Sequence, residues 1–136
     1  MTTSAPVVGW IGLGNIGLPM ARRVLATGLP LQVWARRRET AAPIVGAGAS
    51  LAENPEALAR ACDVIATIVG GPDDVSELHR RMAPVARPGT VFVDMTTASP
   101  GNARESGELA ALAGAFAIDA PVTGGVAGAT QGALTS

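Results

Sequence analysis

Lysine is absent from this 136-residue sequence, and all ten of its basic residues are arginine. Chemistry that needs a titrating ε-amino group is therefore outside the reach of these residues. Cysteine occurs once, at Cys62, so no internal disulfide can form, which fits a reducing compartment. Cys62 sits beside Asp63 with no basic neighbour to lower its pKa, and reads as an inert thiol. Histidine also occurs once: His79 lies between Leu78 and Arg80 with no second ligand type nearby, which argues against a metal or catalytic role. Excess positive charge is missing as well. The net charge is −1, leaving no field that would draw in nucleic acid. The N-terminus lacks a basic start followed by a sustained apolar run, and Pro30 and the glycines interrupt every later one. Neither a signal peptide nor a membrane-spanning helix is expected, and the expected location is cytoplasmic.

What is present suits a globular α/β domain: 48% hydrophobic and 15% charged residues, in a length that allows one domain with its own core. Val7–Leu13 is a continuous apolar run, the pattern of a strand buried on both faces. A helix is expected from about Ile16 to Ala26, then a strand at Leu31–Trp34 and a short helix at Glu39–Val45. Asn54-Pro55-Glu56 forms a helix start, with Asn54 as N-cap, Pro55 at the first helical position and an acid at the positive dipole end. That helix ends near Cys62. Strands follow at Val64–Val69, Val91–Val93 and Phe116–Ile118, with helices at Asp73–Met82 and Asn102–Ala113 between them. The glycine-rich stretch from Pro121 to Gly132 reads as a loop leading into a short helix. Asp94 and Asp119 end their strands and read as loop caps, and Trp10 and Trp34 read as core. Alternating strands and helices imply a doubly wound, mostly parallel sheet with helices on both faces and ligands beyond the strands' carboxyl ends.

The first strand runs into Gly12-x-Gly14-x-x-Gly17 and then a helix. Gly12 allows the tight turn, Gly14 lets a pyrophosphate approach the backbone, and Gly17 lets helix and sheet pack closely, while the free N–H groups at the helix start hold the phosphates. This is the fingerprint of a Rossmann-type fold. Leu13, Asn15 and Ile16 complete the turn. Three glycines in a tight turn need no ligand, but the strand and helix flanks favour the dinucleotide reading. Selection between the two nicotinamide cofactors depends on the end of the second strand, which reads Trp34-Ala35-Arg36-Arg37-Arg38 with no carboxylate before Glu39. Guanidinium groups match a 2′-phosphate and stack on adenine, so NADP is expected over NAD. Arg36 is the first candidate and Arg37 the second, beside Ala35, with Arg38 pointing away. A solvated basic turn is the plain alternative.

Three segments carry a family resemblance: Gly12–Ala21, Asp94-Met-Thr-Thr-Ala-Ser-Pro100, and Asp119-Ala-Pro-Val-Thr-Gly-Gly125 with Ala129 and Gly132. The chain resembles the nucleotide-binding domain of the β-hydroxyacid dehydrogenases, the group that includes 3-hydroxyisobutyrate dehydrogenase and tartronate semialdehyde reductase. The resemblance implies that Val69 and Gly70 cover the cofactor and that Thr97 approaches the nicotinamide, with Thr96 on the substrate side. It implies that Thr123, Gly124 and Gly125 hold the substrate carboxylate, with threonine where the family usually has serine. Read without the family, Thr96-Thr97 is a turn leading a helix and Thr123-Gly124-Gly125 a strand-to-helix turn. The resemblance also implies a small hydroxy-acid substrate, a homo-oligomer, and a lysine in a later Gly-x-x-Gly-x-Gly-x-x-x-Lys helix as general acid/base. No lysine occurs here, and the sequence ends at Ser136 before that helix and the helical domain after it. Loss of a positioned acid/base forfeits about 10² to 10⁴ in rate. The expected function is thus the NADP-binding domain of an oxidoreductase that moves hydride between NADP(H) and a 3-hydroxy acid or semialdehyde. The alternatives are a stand-alone, non-catalytic NADP-binding module and, behind it, an imine-reductase relative. An open sheet edge that favours self-association is expected too.

Overall fold

The computed structural model describes residues 5–96 and 100–120. Within these residues six strands form one sheet, β1 (Val8–Ile11), β2 (Leu31–Trp34), β3 (Ser50–Leu51), β4 (Val64–Thr67), β5 (Val91–Asp94) and β6 (Phe116–Asp119). Between them lie α1 (Gly17–Ala26), α2 (Arg38–Gly46), α3 (Pro55–Ala61), α4 (Pro72–Met82) and α5 (Pro100–Leu112), with a 3₁₀ turn at Ala83–Val85. All strand pairs are parallel, in the order β3-β2-β1-β4-β5-β6. The chain builds outward from β1 to β3, then crosses back to β4 on the other side of β1. That reversal opens a crevice at the carboxyl ends of β1 and β4.

Local chemistry explains where elements begin and stop. Every residue of β1 is buried, because helices cover both faces of a parallel sheet. The strand ends at Ile11, two residues earlier than expected, because Gly12 leaves the extended region with φ +115°. Asn54 caps α3 as expected, its Oδ1 accepting the Ala57 N–H at 2.7 Å, with Pro55 in the first turn. Asp73 and Asp74 stand in the first turn of α4 and Arg80 and Arg81 in its last, an arrangement that complements the helix dipole. β3 was not expected: two residues among glycines carry no strand periodicity, and pairing with Gln32 and Val33 defines it.

The core divides by sheet face. On one side α1 and α2 cover Trp10, Leu31, Val33 and Ala66 with Ala21, Ala41 and Ile44. On the other, α3, α4 and α5 cover Ile11, Ile65 and Phe92 with Leu58, Leu78, Met82 and Ala110. Burial of Cys62 pushes its thiol up to about 12, so the inert reading holds in the fold. The α1–α2 layer does not extend over β6, where Phe116 and Ile118 are 63% and 51% exposed. Among the described residues no helix is long and apolar enough to cross a membrane.

Candidate functional site

Two loops meet at the crevice. Gly12 follows β1 and Ile68 follows β4, and the two backbones touch: a Cβ on Gly12 would lie 1.9 Å from the Ile68 carbonyl oxygen. A Cβ on Gly17 would lie 1.9 Å from the carbonyl oxygen of Gly12. These two glycines are therefore demanded by close approach inside the protein. Gly14 differs, since nothing lies within 4 Å of its Cβ position, which leaves that backbone open to a ligand. The start of α1 has no side-chain cap and no acid in its first turn. Such a helix end attracts anions through its N–H groups and dipole. Trp10, buried below the turn, donates its indole N–H to the Gly12 carbonyl at 2.9 Å and steadies it.

A cavity of about 670 Å³ opens above these loops. Gly12, Leu13, Gly14, Asn15, Ile16 and Gly17 form one wall, Ala35, Arg36 and Arg37 another, and Val69 and Gly70 a third. Eleven expected cofactor residues are thus brought together around one space. Ile11, Trp34, Thr40, Ile68, Asp74 and Leu78 line it too, and the sequence reading missed all six. Trp34 is half-buried: it packs against the core, as expected, and also lines the cavity. The Arg81 guanidinium lies 6.0 Å from its ring centroid and reaches Glu56 at 2.8 Å.

Arg36 has partners that the sequence did not reveal. Its Nη2 donates to Asp74 Oδ1 at 3.1 Å and to Glu77 Oε2 at 3.0 Å, both on α4. The carbonyl of Arg37, the residue before α2, accepts from the Thr40 hydroxyl at 2.7 Å.

Thr96 lies outside the cavity lining. It is buried, and its hydroxyl oxygen accepts the Val69 N–H at 3.0 Å. Its own N–H donates to Asp94 Oδ1, which also accepts from the Thr67 hydroxyl, each at 3.0 Å. Asp94 is thus a loop cap, as expected, and the chain Thr67–Asp94–Thr96–Val69 ties the ends of β4 and β5 together. Thr97, Thr123, Gly124, Gly125 and the stretch from Pro121 to Gly132 lie outside the described residues.

His79 is buried, its Nδ1 2.5 Å from Ser106 Oγ and its ring 5.4 Å from that of Phe92. Burial pushes its pKa below the ordinary value. No group of three or more potential metal ligands occurs among the described residues.

Comparison with known proteins gives a consistent picture. The family described as the NAD binding domain of 6-phosphogluconate dehydrogenase matches residues 7–136. The probable 3-hydroxyisobutyrate dehydrogenase-like 1, mitochondrial, of Arabidopsis thaliana is 38% identical over 141 residues, which cover 99% of this chain and 42% of that protein. The solved structure of Mycobacterium tuberculosis 3-hydroxyisobutyrate dehydrogenase with L-serine matches with a TM-score of 0.89 and 31% identity, over 96% of this chain and 45% of that one. Psf3 in complex with NADP+ and 2-OPP matches with a TM-score of 0.86 and 36% identity, over 93% and 46%. The chain spans less than half the length of these relatives.

Proposed function

The chain belongs to the family of the 6-phosphogluconate dehydrogenase NAD binding domain, within the β-hydroxyacid dehydrogenase group, and on that premise we propose that it is the NADP-binding part of an oxidoreductase. Its reaction moves hydride between NADP(H) and a 3-hydroxy acid or the corresponding semialdehyde. The observation that carries this reading is one cavity with the uncapped glycine turn on one wall and Arg36 on another.

When bound, the nicotinamide cofactor supplies or accepts the hydride. The chain's own residues bind and orient. The N–H groups of the Gly12–Gly17 turn receive the pyrophosphate, and the open face of Gly14 admits it. Arg36, backed by Arg37, receives the 2′-phosphate. Val69 and Gly70 cover the cofactor, Val69 held through its N–H by the Thr96 hydroxyl, and Thr96 stands on the substrate side. Thr97 serves the nicotinamide side, and Thr123, Gly124 and Gly125 take the substrate carboxylate.

Arg36→Ala is the test. A hydrogen-bonded charged partner is worth about 1.5 to 3 kcal/mol, so NADPH binding should weaken by that amount while NADH binding holds. Equal losses for both cofactors would overturn the 2′-phosphate assignment.

A non-catalytic binding role is the second reading, favoured by the absence of lysine from these residues. On either reading residues 1–136 act as one cofactor-binding domain, with the catalytic lysine supplied from outside them if the protein catalyses. Self-association is part of the proposal, supported by the exposed Phe116 and Ile118 on β6. So is a cytoplasmic location.

A further inference from the structure

Arg36 bridges two sides of the cavity, and the way it is held limits what it can do for a ligand. Both of its hydrogen bonds leave from one nitrogen, Nη2, to Asp74 and Glu77. A guanidinium offers two forked faces to a phosphate, Nε with Nη2 and Nη1 with Nη2, and both use that nitrogen. While both carboxylates hold Nη2, neither fork is free. The group of Arg36, Asp74 and Glu77 carries a formal charge of −1, beside Arg37 on the same wall. Asp74 lines the cavity, and its Oδ2 lies 3.1 Å from where a Cβ on Gly70 would be. Glu77 stands one turn along α4, outside the lining.

We propose that Asp74 and Glu77 are specificity-determining residues, which set how strongly the site favours a 2′-phosphorylated dinucleotide by competing with the phosphate for Arg36 Nη2. The proposal rests on the reading of Arg36 as the 2′-phosphate partner. The side chains are 60% exposed for Arg36, 40% for Asp74 and 56% for Glu77. Exposed pairs of this kind are weak, so the carboxylates bias the site and do not lock it. An unmodified ribose makes no claim on the guanidinium, so its binding does not meet this competition.

The experiment measures dissociation constants of NADPH and NADH for the wild type, Glu77→Gln, Asp74→Asn/Glu77→Gln, and the same substitutions on Arg36→Ala, with thermal unfolding as a check on folding. Glu77→Gln should tighten NADPH about threefold and the double substitution about tenfold, in line with removing one and then two exposed ion pairs that compete for Arg36 Nη2. For Glu77→Gln, NADH should stay unchanged, and on Arg36→Ala the gain for NADPH should vanish. Unchanged NADPH affinity in Glu77→Gln overturns the proposal, as does an equal gain with and without Arg36. Glu77→Gln is decisive alone if the double variant fails to fold. Equal binding of NADPH by wild type and Arg36→Ala instead overturns the reading of Arg36, which is visible without any acid substitution.

Discussion

A Cβ placed on Gly17 would sit 1.9 Å from the carbonyl oxygen of Gly12, so the start of α1 rests directly on the turn that follows β1. Three residues back, a Cβ on Gly14 would touch nothing. Glycines of one motif therefore answer to two demands, packing at Gly17 and access at Gly14. Gly17→Ala should destabilise the fold by about 3 kcal/mol through overpacking against backbone. Gly14→Ala should leave the unfolding midpoint near that of the wild type and weaken dinucleotide binding about tenfold, since the added methyl would stand where the pyrophosphate is proposed to approach. Thermal unfolding and a cofactor titration on both variants check this. A Gly14→Ala protein that binds like the wild type would place the pyrophosphate elsewhere.

Thr96 carries a second prediction. Its hydroxyl oxygen is the acceptor for the Val69 N–H, and both lie in a buried chain with Asp94 and Thr67. Thr96→Val keeps the shape and leaves that N–H without its acceptor, at a cost of about 1–3 kcal/mol in stability. Thr96→Ser should restore most of it. Full stability in Thr96→Val would show that Val69 is held by other means.

These two cases show what was legible in the sequence. The strand–turn–helix at Gly12–Gly17 was, because glycine spacing and flanking apolar runs are local signals. The parallel direction of the strands followed from alternation. Arg36 was legible as a cation at the right strand end, but Asp74 and Glu77 are 38 and 41 residues further on, and only the fold brings α4 to it. Trp34 read as core and does pack against it, but only the fold shows that its place at the carboxyl end of β2 also turns one side to the cavity. Thr96 stood on the substrate side through the family resemblance alone, while its bond to the Val69 N–H, 27 residues away, needed the fold to bring the two together.

His79 sets a pH dependence for stability. Burial holds its pKa in the folded chain below the ordinary value of 6.5. The unfolded chain then binds the proton more readily, so stability is full above about pH 6.5 and declines as pH falls from there toward the folded pKa. The slope contributed by one histidine is at most about 1.4 kcal/mol per pH unit. Urea unfolding between pH 7.5 and 5 should show this decline, and in His79→Leu the part due to the imidazole should disappear, whatever the variant's absolute stability. An identical slope in both proteins would assign the decline to other groups.

On the proposed function, the dinucleotide site prefers the 2′-phosphorylated cofactor. Isothermal titration of the chain with NADPH and, separately, with NADH tests it most directly. One site per chain is expected for each cofactor, with NADPH bound more tightly. Equal affinities, or tighter binding of NADH, would contradict it.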